Sequence, residues 1–338
     1  MDSFALDVLN PLVRGTNLER HEAADALCEI LDGKIDGILI ASFLTALTAK
    51  GETAIEMTGF IDAMISRATT FSIGPSAIDI VGTGGDQLHS VNVSTMAALV
   101  VAGCGVSVAK HGNRAASSSV GSADLLEALG VRIDAPEDVV RACVREAGVG
   151  FMFAPIFHPA LATLVPIRRE LRFRTIFNVL GPLANPALVQ RSLIGVAPLT
   201  LLDKMAEVLH QRGIRRAILV SSDDGLDELS LGAPATLEYV AGETRYRRRI
   251  DPGNALGLRH SAADIRGGDV RENVALTRAF LEGARGAIFD TVCVNASLAL
   301  MVAGETDELK DGFQRASACV LEGRAASALE RLVAVSNS

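Results

Sequence analysis

Ala77-Ile-Asp-Ile-Val-Gly-Thr-Gly-Gly-Asp86 is a short β-branched run that ends in a glycine cluster, and a helix-compatible stretch opens a few residues later at Asn92-Val-Ser-Thr95. Such a run predicts a strand, a tight loop and a helix in that order, the repeating unit of an α/β sheet.

Working toward the N-terminus, residues 1 to about 70 lack this pattern. Apolar positions recur there at helical spacing, as in Ala23, Leu27, Ile30 and Leu31, then Ile38, Leu39, Phe43, Leu44 and Leu47, with Gly33 and Gly51 as punctuation. Toward the C-terminus, strands and helices alternate. Val106–Ala109, Val149–Phe153 and Arg216–Ser221 read as strands, and Ser122–Leu129 and Leu199–Gln211 as helices. Alternating residues between Thr236 and Ile250 predict antiparallel strands, and the chain is helical again from Asn273. The fold class expected is therefore α/β, with a small all-helical N-terminal domain and a large α/β domain whose central mixed sheet is flanked by helices. A chain of 338 residues is long enough for two such units.

Composition narrows the function. With 32 basic and 40 acidic side chains the net charge is -8, which repels nucleic-acid phosphates, so any phosphate site must be local. Cys28, Cys104, Cys143, Cys293 and Cys319 have neither CxxC nor metal-finger spacing and are expected to be buried thiols in a reducing cytoplasm. The opening MDSFALDVLN places acids where a secretory signal carries positive charge, and the apolar run Val93–Val108 is too interrupted to span a membrane.

Three segments carry chemistry. In Gly82-Thr-Gly-Gly-Asp86, glycines let backbone N–H groups approach an anion, and the helix beginning near Asn92 adds unpaired donors. Taken alone, this cluster reads better as a tight turn with Asn92 or Ser94 as an ordinary N-cap. It is neither a dinucleotide fingerprint nor a P-loop. Lys110-His-Gly-Asn-Arg114, followed by Ala115-Ala-Ser-Ser118, packs cations, an imidazole and an amide at the mouth of a sheet, with no acid nearby in that run. A phosphate or carboxylate is its natural guest. In Asp223-Asp-Gly-Leu-Asp-Glu228, adjacent carboxylates at a strand end suit magnesium, although an acidic surface turn reads equally well. Arg168-Arg-Glu-Leu-Arg172 with Arg174 is a further charged cluster, whereas His21, His89, His210 and His260 read as surface or core residues.

At these residues the sequence resembles the anthranilate phosphoribosyltransferases of tryptophan biosynthesis. GTGGD at 82–86, NVST at 92–95, KHGNR at 110–114, GSADLLEALG at 121–130, FAPIFHPA at 153–160, RTIFNVLGPLANP at 174–186 and GLDELS at 225–230 occur in that family's order, and a GGD segment follows at 267–269. The resemblance implies transfer of the phosphoribosyl group of phosphoribosyl pyrophosphate (PRPP) to the amine of anthranilate, with two magnesium ions per site and a homodimeric, cytoplasmic enzyme. It places a helical domain at 1–73 plus a middle segment near 165–190, and an α/β domain at 74–164 and 191–338.

The same resemblance implies residue roles. Gly82, Gly85, Asp86, Ser90, Asn92, Val93, Ser94 and Thr95 would hold PRPP. Lys110, His111, Gly112, Asn113, Arg114, Ala115, Ala116, Ser117, Ser118 and Ser122 would wrap its ribose and phosphates. Gly82, His111, Asn113, His158, Arg168 and Pro182 would line the anthranilate path. Ser94, Asp227 and Glu228 would bind metal, and Lys110, Asp227 and Glu228 would act in catalysis. Departures are Gln87 where Gly is common, Ser90 for Thr, and Ser119-Val120 for Lys-Ser; Gln87 is expected to crowd the PRPP loop. The alternatives are a relative acting on a substituted anthranilate, a nucleoside phosphorylase, and a non-catalytic relative that binds nucleic acid or a partner.

Overall fold

The computed structural model describes residues 3–86, 88–115 and 119–338. Helices α1 (Arg20–Leu31), α2 (Gly37–Lys50) and α3 (Ala54–Ser66) form the N-terminal lobe. Asp36 caps α2 by accepting from the backbone N of Ile38 and Leu39, and Thr53 and Glu56 form a capping box on α3. Glu56 is fully buried and accepts from Lys50 Nζ (2.9 Å) and the backbone N of Leu18 (2.9 Å), which ties the α2–α3 joint to the chain that precedes α1. Ile38, expected on the packed face of α2, is 77% exposed.

The α/β part begins with β1 (Asp79–Gly82), α4 (Val93–Gly103), β2 (Val108–Gly112), α5 (Ser122–Ala128), α6 (Glu137–Ala147) and β3 (Val149–Phe153). It continues through α7 (Val165–Leu171), β4 (Arg191–Gly195), α8 (Leu202–Gln211), β5 (Arg216–Ser222) and the hairpin β6 (Ala235–Ala241) and β7 (Thr244–Ile250). Helices α9 (Val270–Leu281), α10 (Ala287–Ala303), α11 (Leu309–Leu321) and α12 (Arg324–Ser336) complete it. The main sheet has the order β1-β4-β5-β6-β7, parallel from β1 to β5 and antiparallel beyond. The parallel pair β2–β3 joins it through the Ile78–Val108 bridge.

Side-chain alternation along the central strands divides the apolar residues between two cores. Leu193, Ile218, Val220 and Leu237 pack with α4 and α10, whereas Ile194, Ala217, Leu219 and Val240 pack against α8 and the N-terminal helices. Leu164, Ile176, Phe177 and Leu180 of the 164–180 segment join this second core beside Leu27, Phe43 and Phe60.

Three expectations need correction. Strand β4 is an addition to the strands that the sequence predicts, because five residues that begin Arg-Ser and end in Gly carry little β signal of their own. Strand β2 starts two residues later than expected and contains Lys110, His111 and Gly112, so these are strand residues and not loop residues. Of the cysteines, only Cys143, Cys293 and Cys319 are buried; Cys28 and Cys104 are half-buried.

Candidate active site

A cleft of about 330 Å³ opens at the C-terminal ends of β1 and β2, between the α/β part and the 158–182 segment. The loop after β1 forms its floor. Gly84 and Gly85 have φ of +65° and +82°, a region costly for residues with a Cβ. The backbone N of Gly84 donates to Asp227 Oδ2 at 2.6 Å, and its carbonyl accepts from Nη1 and Nη2 of Arg174, both at 3.2 Å. Gly82 leaves room for the Asp227 carboxylate, with which any side chain there would collide. Gln87 lies outside the described residues.

The segment that leads into α4 is held from the C-terminal part of the chain. Ser90 bridges Arg266, the backbone N of Val91 donates to Ile265 O, and the backbone N of Gly267 donates to His89 O. Asn92 sits at the N-cap of α4 but makes no capping hydrogen bond with its side chain. Its Nδ2 donates to Val120 O (2.9 Å) and its Oδ1 accepts from Asn273 Nδ2 (3.2 Å). The reading of Asn92 as an ordinary N-cap therefore fails, and so does the expectation of unpaired donors at this end of α4: Val93 N donates to Val91 O (2.7 Å), Thr95 N to Asn92 O (3.1 Å) and Ser94 N to Glu228, which leaves the positive end of the helix dipole at the cleft.

Asp227 and Glu228 are 8% and 7% exposed and point inward, while their neighbours in the acidic run turn outward: Asp223 pairs with Arg249, and Asp224 accepts from Ser230 Oγ. Burial and the nearby Asp86 raise the Asp227 carboxyl to about 6. Burial, with Asp227 beside it, raises Glu228 well above the usual carboxylate range against the pull of Lys110 and a hydrogen bond from the backbone N of Ser94. Asp86 Oδ2 is buried and has no hydrogen-bond partner. Hard oxygen donors whose ionised forms are held at a cost suit a divalent cation. Magnesium is such an ion, and it takes a few carboxylates and completes its shell with water and substrate phosphate.

Lys110 is 2% exposed; Nζ donates to Ile80 O (2.5 Å) and Ser94 Oγ (3.3 Å). Burial lowers its pKa, opposed by the charges of Asp79 and Glu228. Asp79 is likewise buried and pushed up to about 6 by desolvation, opposed by Lys110 and by Asn185 Nδ2, which donates to its Oδ2 at 2.7 Å. His111 Nδ1 lies 3.2 Å from Gly181 O, and so carries the proton; Nε2 is buried without a partner. Burial, the adjacent His158 and Lys110 push His111 down to about 3, so its imidazole is neutral. The His158 ring stands 5.2 Å from that of His111, and its Nε2 lies 2.9 Å from Ala184 O. Pro182 is buried beside them.

Arg168 reaches the cleft with its guanidinium 5.6 Å from the Phe177 ring centroid and has neither hydrogen bond nor ion pair among the described residues. Burial lowers its pKa. Arg114 behaves differently. Its guanidinium bonds Asp124 (2.9 Å) and Glu127 (2.7 Å) on α5, so the expectation of a basic run without neighbouring acids does not hold. Asp124 Oδ2 also accepts from the backbone N of Ala115 and Gly121, and Asn113 O accepts from Ser122 Oγ (3.3 Å), so α5 shapes this loop. A side chain at Gly112 would collide with Ser122 Oγ. Ala116, Ser117 and Ser118 lie outside the described residues. Asp79, Asn185 and the Arg174 contact carry no signal in their own stretches of sequence, and His89, expected as a surface or core residue, is exposed and also lines the cleft, with Nδ1 3.2 Å from Ser119 Oγ.

Comparison with known proteins matches this architecture. Residues 6–68 fit the glycosyl transferase family helical bundle domain, and residues 74–326 fit the glycosyl transferase family a/b domain. The chain is 47% identical over 336 residues to an anthranilate phosphoribosyltransferase of Thermomicrobium roseum, with 98% of this chain and 97% of that protein covered. It is 42% identical to one from Dehalococcoides mccartyi, with 98% of each covered. Among solved structures it superposes on the Thermus thermophilus anthranilate phosphoribosyltransferase with a TM-score of 0.91 at 40% identity, covering 98% of this chain and 100% of that one. The Saccharomyces cerevisiae enzyme in complex with PRPP and Mg gives 0.91 at 26% identity, covering 100% and 99%. With glycine loop, buried carboxylate pair and helical lobe in one arrangement, this chain belongs to the glycosyl transferase family and, within it, to the anthranilate phosphoribosyltransferases.

Proposed function

We propose that the chain transfers the phosphoribosyl group of PRPP to the amine of anthranilate with magnesium, giving N-(5-phosphoribosyl)anthranilate and pyrophosphate. The observation that carries this reading is the buried Asp227–Glu228 pair, set against a helix N-terminus and Lys110 in the cleft that Arg168 and His111 also enter. Asp227 and Glu228, with Ser94, would hold magnesium, taken as two ions, which neutralises the negative charge of a pyrophosphate leaving group.

The chain's own residues orient the partners. Gly82, Gly85, Asp86, Ser90 and Asn92–Thr95 cradle PRPP, and Lys110–Ala115 with Ser122 border its ribose and phosphates, together with Ala116–Ser118 outside the described residues. Lys110 Nζ stands beside Ser94 Oγ, where its ammonium would be favoured by the charge of a bound phosphate. Gly82, Asn113, His158 and Pro182 bound the acceptor, Arg168 pairs its carboxylate, and the free Nε2 of neutral His111 accepts a hydrogen bond from its amine. An aromatic amine attacks without prior deprotonation, so positioning and charge stabilisation supply the catalysis. We take 1–73 with the segment near 165–190 as the small helical domain, and 74–164 with 191–338 as the large α/β domain.

A homodimer is the proposed assembly. Val13 and Ile38, 74% and 77% exposed, border an apolar groove with Ala41, Thr45 and Ala49 on the N-terminal lobe, the kind of face that a second copy covers. No helix among the described residues is long and apolar enough to cross a membrane, and five free thiols suit a cytoplasmic location. The deciding experiment follows anthranilate fluorescence with PRPP and magnesium added singly and together. Loss of signal only with both supports the reading; phosphate-dependent release of base from a pyrimidine nucleoside would replace it with a nucleoside phosphorylase.

A further inference from the structure

Gly84 is gripped at both ends of its own residue. Its N–H is held by the carboxylate of Asp227, and its carbonyl by both terminal nitrogens of Arg174. The guanidinium lies over Gly85, where any side chain would collide with it. Arg174 forms no ion pair among the described residues, and Gly84 O is the only hydrogen-bond acceptor that its guanidinium meets there, so its charge is left unneutralised beside the loop. Arg174 is also anchored from behind. The backbone N of Thr175 donates to Asn178 Oδ1 (3.0 Å), and Ile176 and Phe177 are buried in the core shared with the N-terminal helices. Phe177 is the ring beneath Arg168.

We propose that Arg174 is a positioning residue that clasps the glycine loop through Gly84, joining the acceptor side of the cleft to the Asp227 carboxylate. The proposal rests on the phosphoribosyl transfer inferred above. A planar fork with two donors aimed at one carbonyl fixes the peptide plane, and a compact ammonium in its place offers only a point contact. With the clasp in place, the Gly84 backbone is held in one arrangement before PRPP arrives, so binding does not have to order it. Without it, Gly84 keeps the Asp227 contact on its N–H and a 3.3 Å contact from Thr83 Oγ1 on its carbonyl, both from its own side of the cleft, and the tie to the 174–178 segment and the positive potential next to the loop are lost.

The test uses the full chain with Arg174→Ala and Arg174→Lys. Amide hydrogen exchange over residues 82–86 is measured without ligands, PRPP binding with magnesium by calorimetry, and turnover by anthranilate fluorescence. For Arg174→Ala the expected result is faster exchange confined to this loop, PRPP affinity lower by roughly tenfold, an anthranilate Michaelis constant within about twofold of wild type, and an unchanged melting temperature. Arg174→Lys should fall between. In an Asp227→Asn background, Arg174→Ala should change loop exchange by a different factor than alone, because the two residues hold the two peptide groups that flank the Gly84 Cα. Unchanged exchange and PRPP affinity would overturn the clasp, as would equal weakening of both substrates with a lower melting temperature. An inactive wild type would overturn the reaction reading, and the ligand-free exchange would still decide the clasp.

Discussion

Asp227 Oδ2 accepts a 2.6 Å hydrogen bond from the backbone N of Gly84, 143 positions earlier in the chain, so the carboxylate proposed to hold magnesium also shapes the glycine loop. Replacing Asp227 by Asn and Glu228 by Gln keeps volume and removes two buried negative groups. PRPP-dependent turnover should fall by at least roughly 100-fold, and magnesium should no longer enhance PRPP binding in calorimetry. The melting temperature should hold, because ionised carboxylates are disfavoured in this site without a cation. Turnover near wild type at saturating magnesium would show that these carboxylates are not the metal ligands.

Gly82 tests the same geometry from the other side. Its hydrogen faces the Asp227 carboxylate, so Gly82→Ala must displace Oδ2 and with it the Gly84 contact. A displacement on the order of 1 Å at a positioning group costs on the order of 100-fold in rate. The expected signature is a higher magnesium concentration for half-maximal rate. An unchanged magnesium dependence would mean that the carboxylate has room to move without consequence.

How much of this was legible depends on how local each feature is. The glycine loop at 82–86, the α4 N-terminus at Asn92–Thr95 and the acid pair at Asp227–Glu228 each announce themselves within a few residues, and the helical opening before a mixed sheet follows from periodicity alone. Contacts between distant segments do not. Nothing near Asp223 tells that it pairs with Arg249 on β7 and leaves the inward positions to Asp227 and Glu228. Asn185 reaches Asp79 across 106 positions, and Arg174 reaches Gly84 across 90. Asp124 and Glu127 lie close in sequence to Arg114, yet only the first turns of α5 bring them to its guanidinium.

Arg168 should set anthranilate affinity. It is the half-buried cation in the cleft with no protein partner among the described residues, and burial makes its charge costly until an anion arrives. Losing a charge-assisted contact of this kind costs roughly 1.5 to 3 kcal/mol, about one to two orders of magnitude in kcat/KM. Arg168→Ala should therefore raise the anthranilate Michaelis constant and leave PRPP binding with magnesium near wild type. Arg169 is exposed on the same helix, and Arg169→Ala serves as the control. Equal losses for the two variants would argue against carboxylate recognition by Arg168.

His111 should give the folded chain an acid-side weakness. Its ordinary pKa of 6.5 falls to about 3 on burial beside His158 and Lys110, so the unfolded chain takes up a proton at a higher pH than the folded one. Stability from this residue is therefore complete above 6.5 and is lost progressively as the pH falls toward 3. The window of about 3.5 units corresponds to at most about 4 to 5 kcal/mol, at 1.36 kcal/mol per unit. Asp79 acts with the opposite sign. Raised to about 6, it costs stability above that pH and returns it as the pH falls, which offsets part of the loss. His111→Asn separates the two. The Asn amide can stand in for Nδ1 toward Gly181 O, and Asp79 keeps its bond from the backbone N of residue 111. Melting temperatures measured from pH 8 to pH 4 should then fall less steeply for the variant than for wild type. Some slope should persist, because burial also lowers His158 and it remains. Parallel curves for the two proteins would mean that His111 gains its proton in the folded chain as readily as in the unfolded one, and that Nε2 is not the unprotonated acceptor assigned to it.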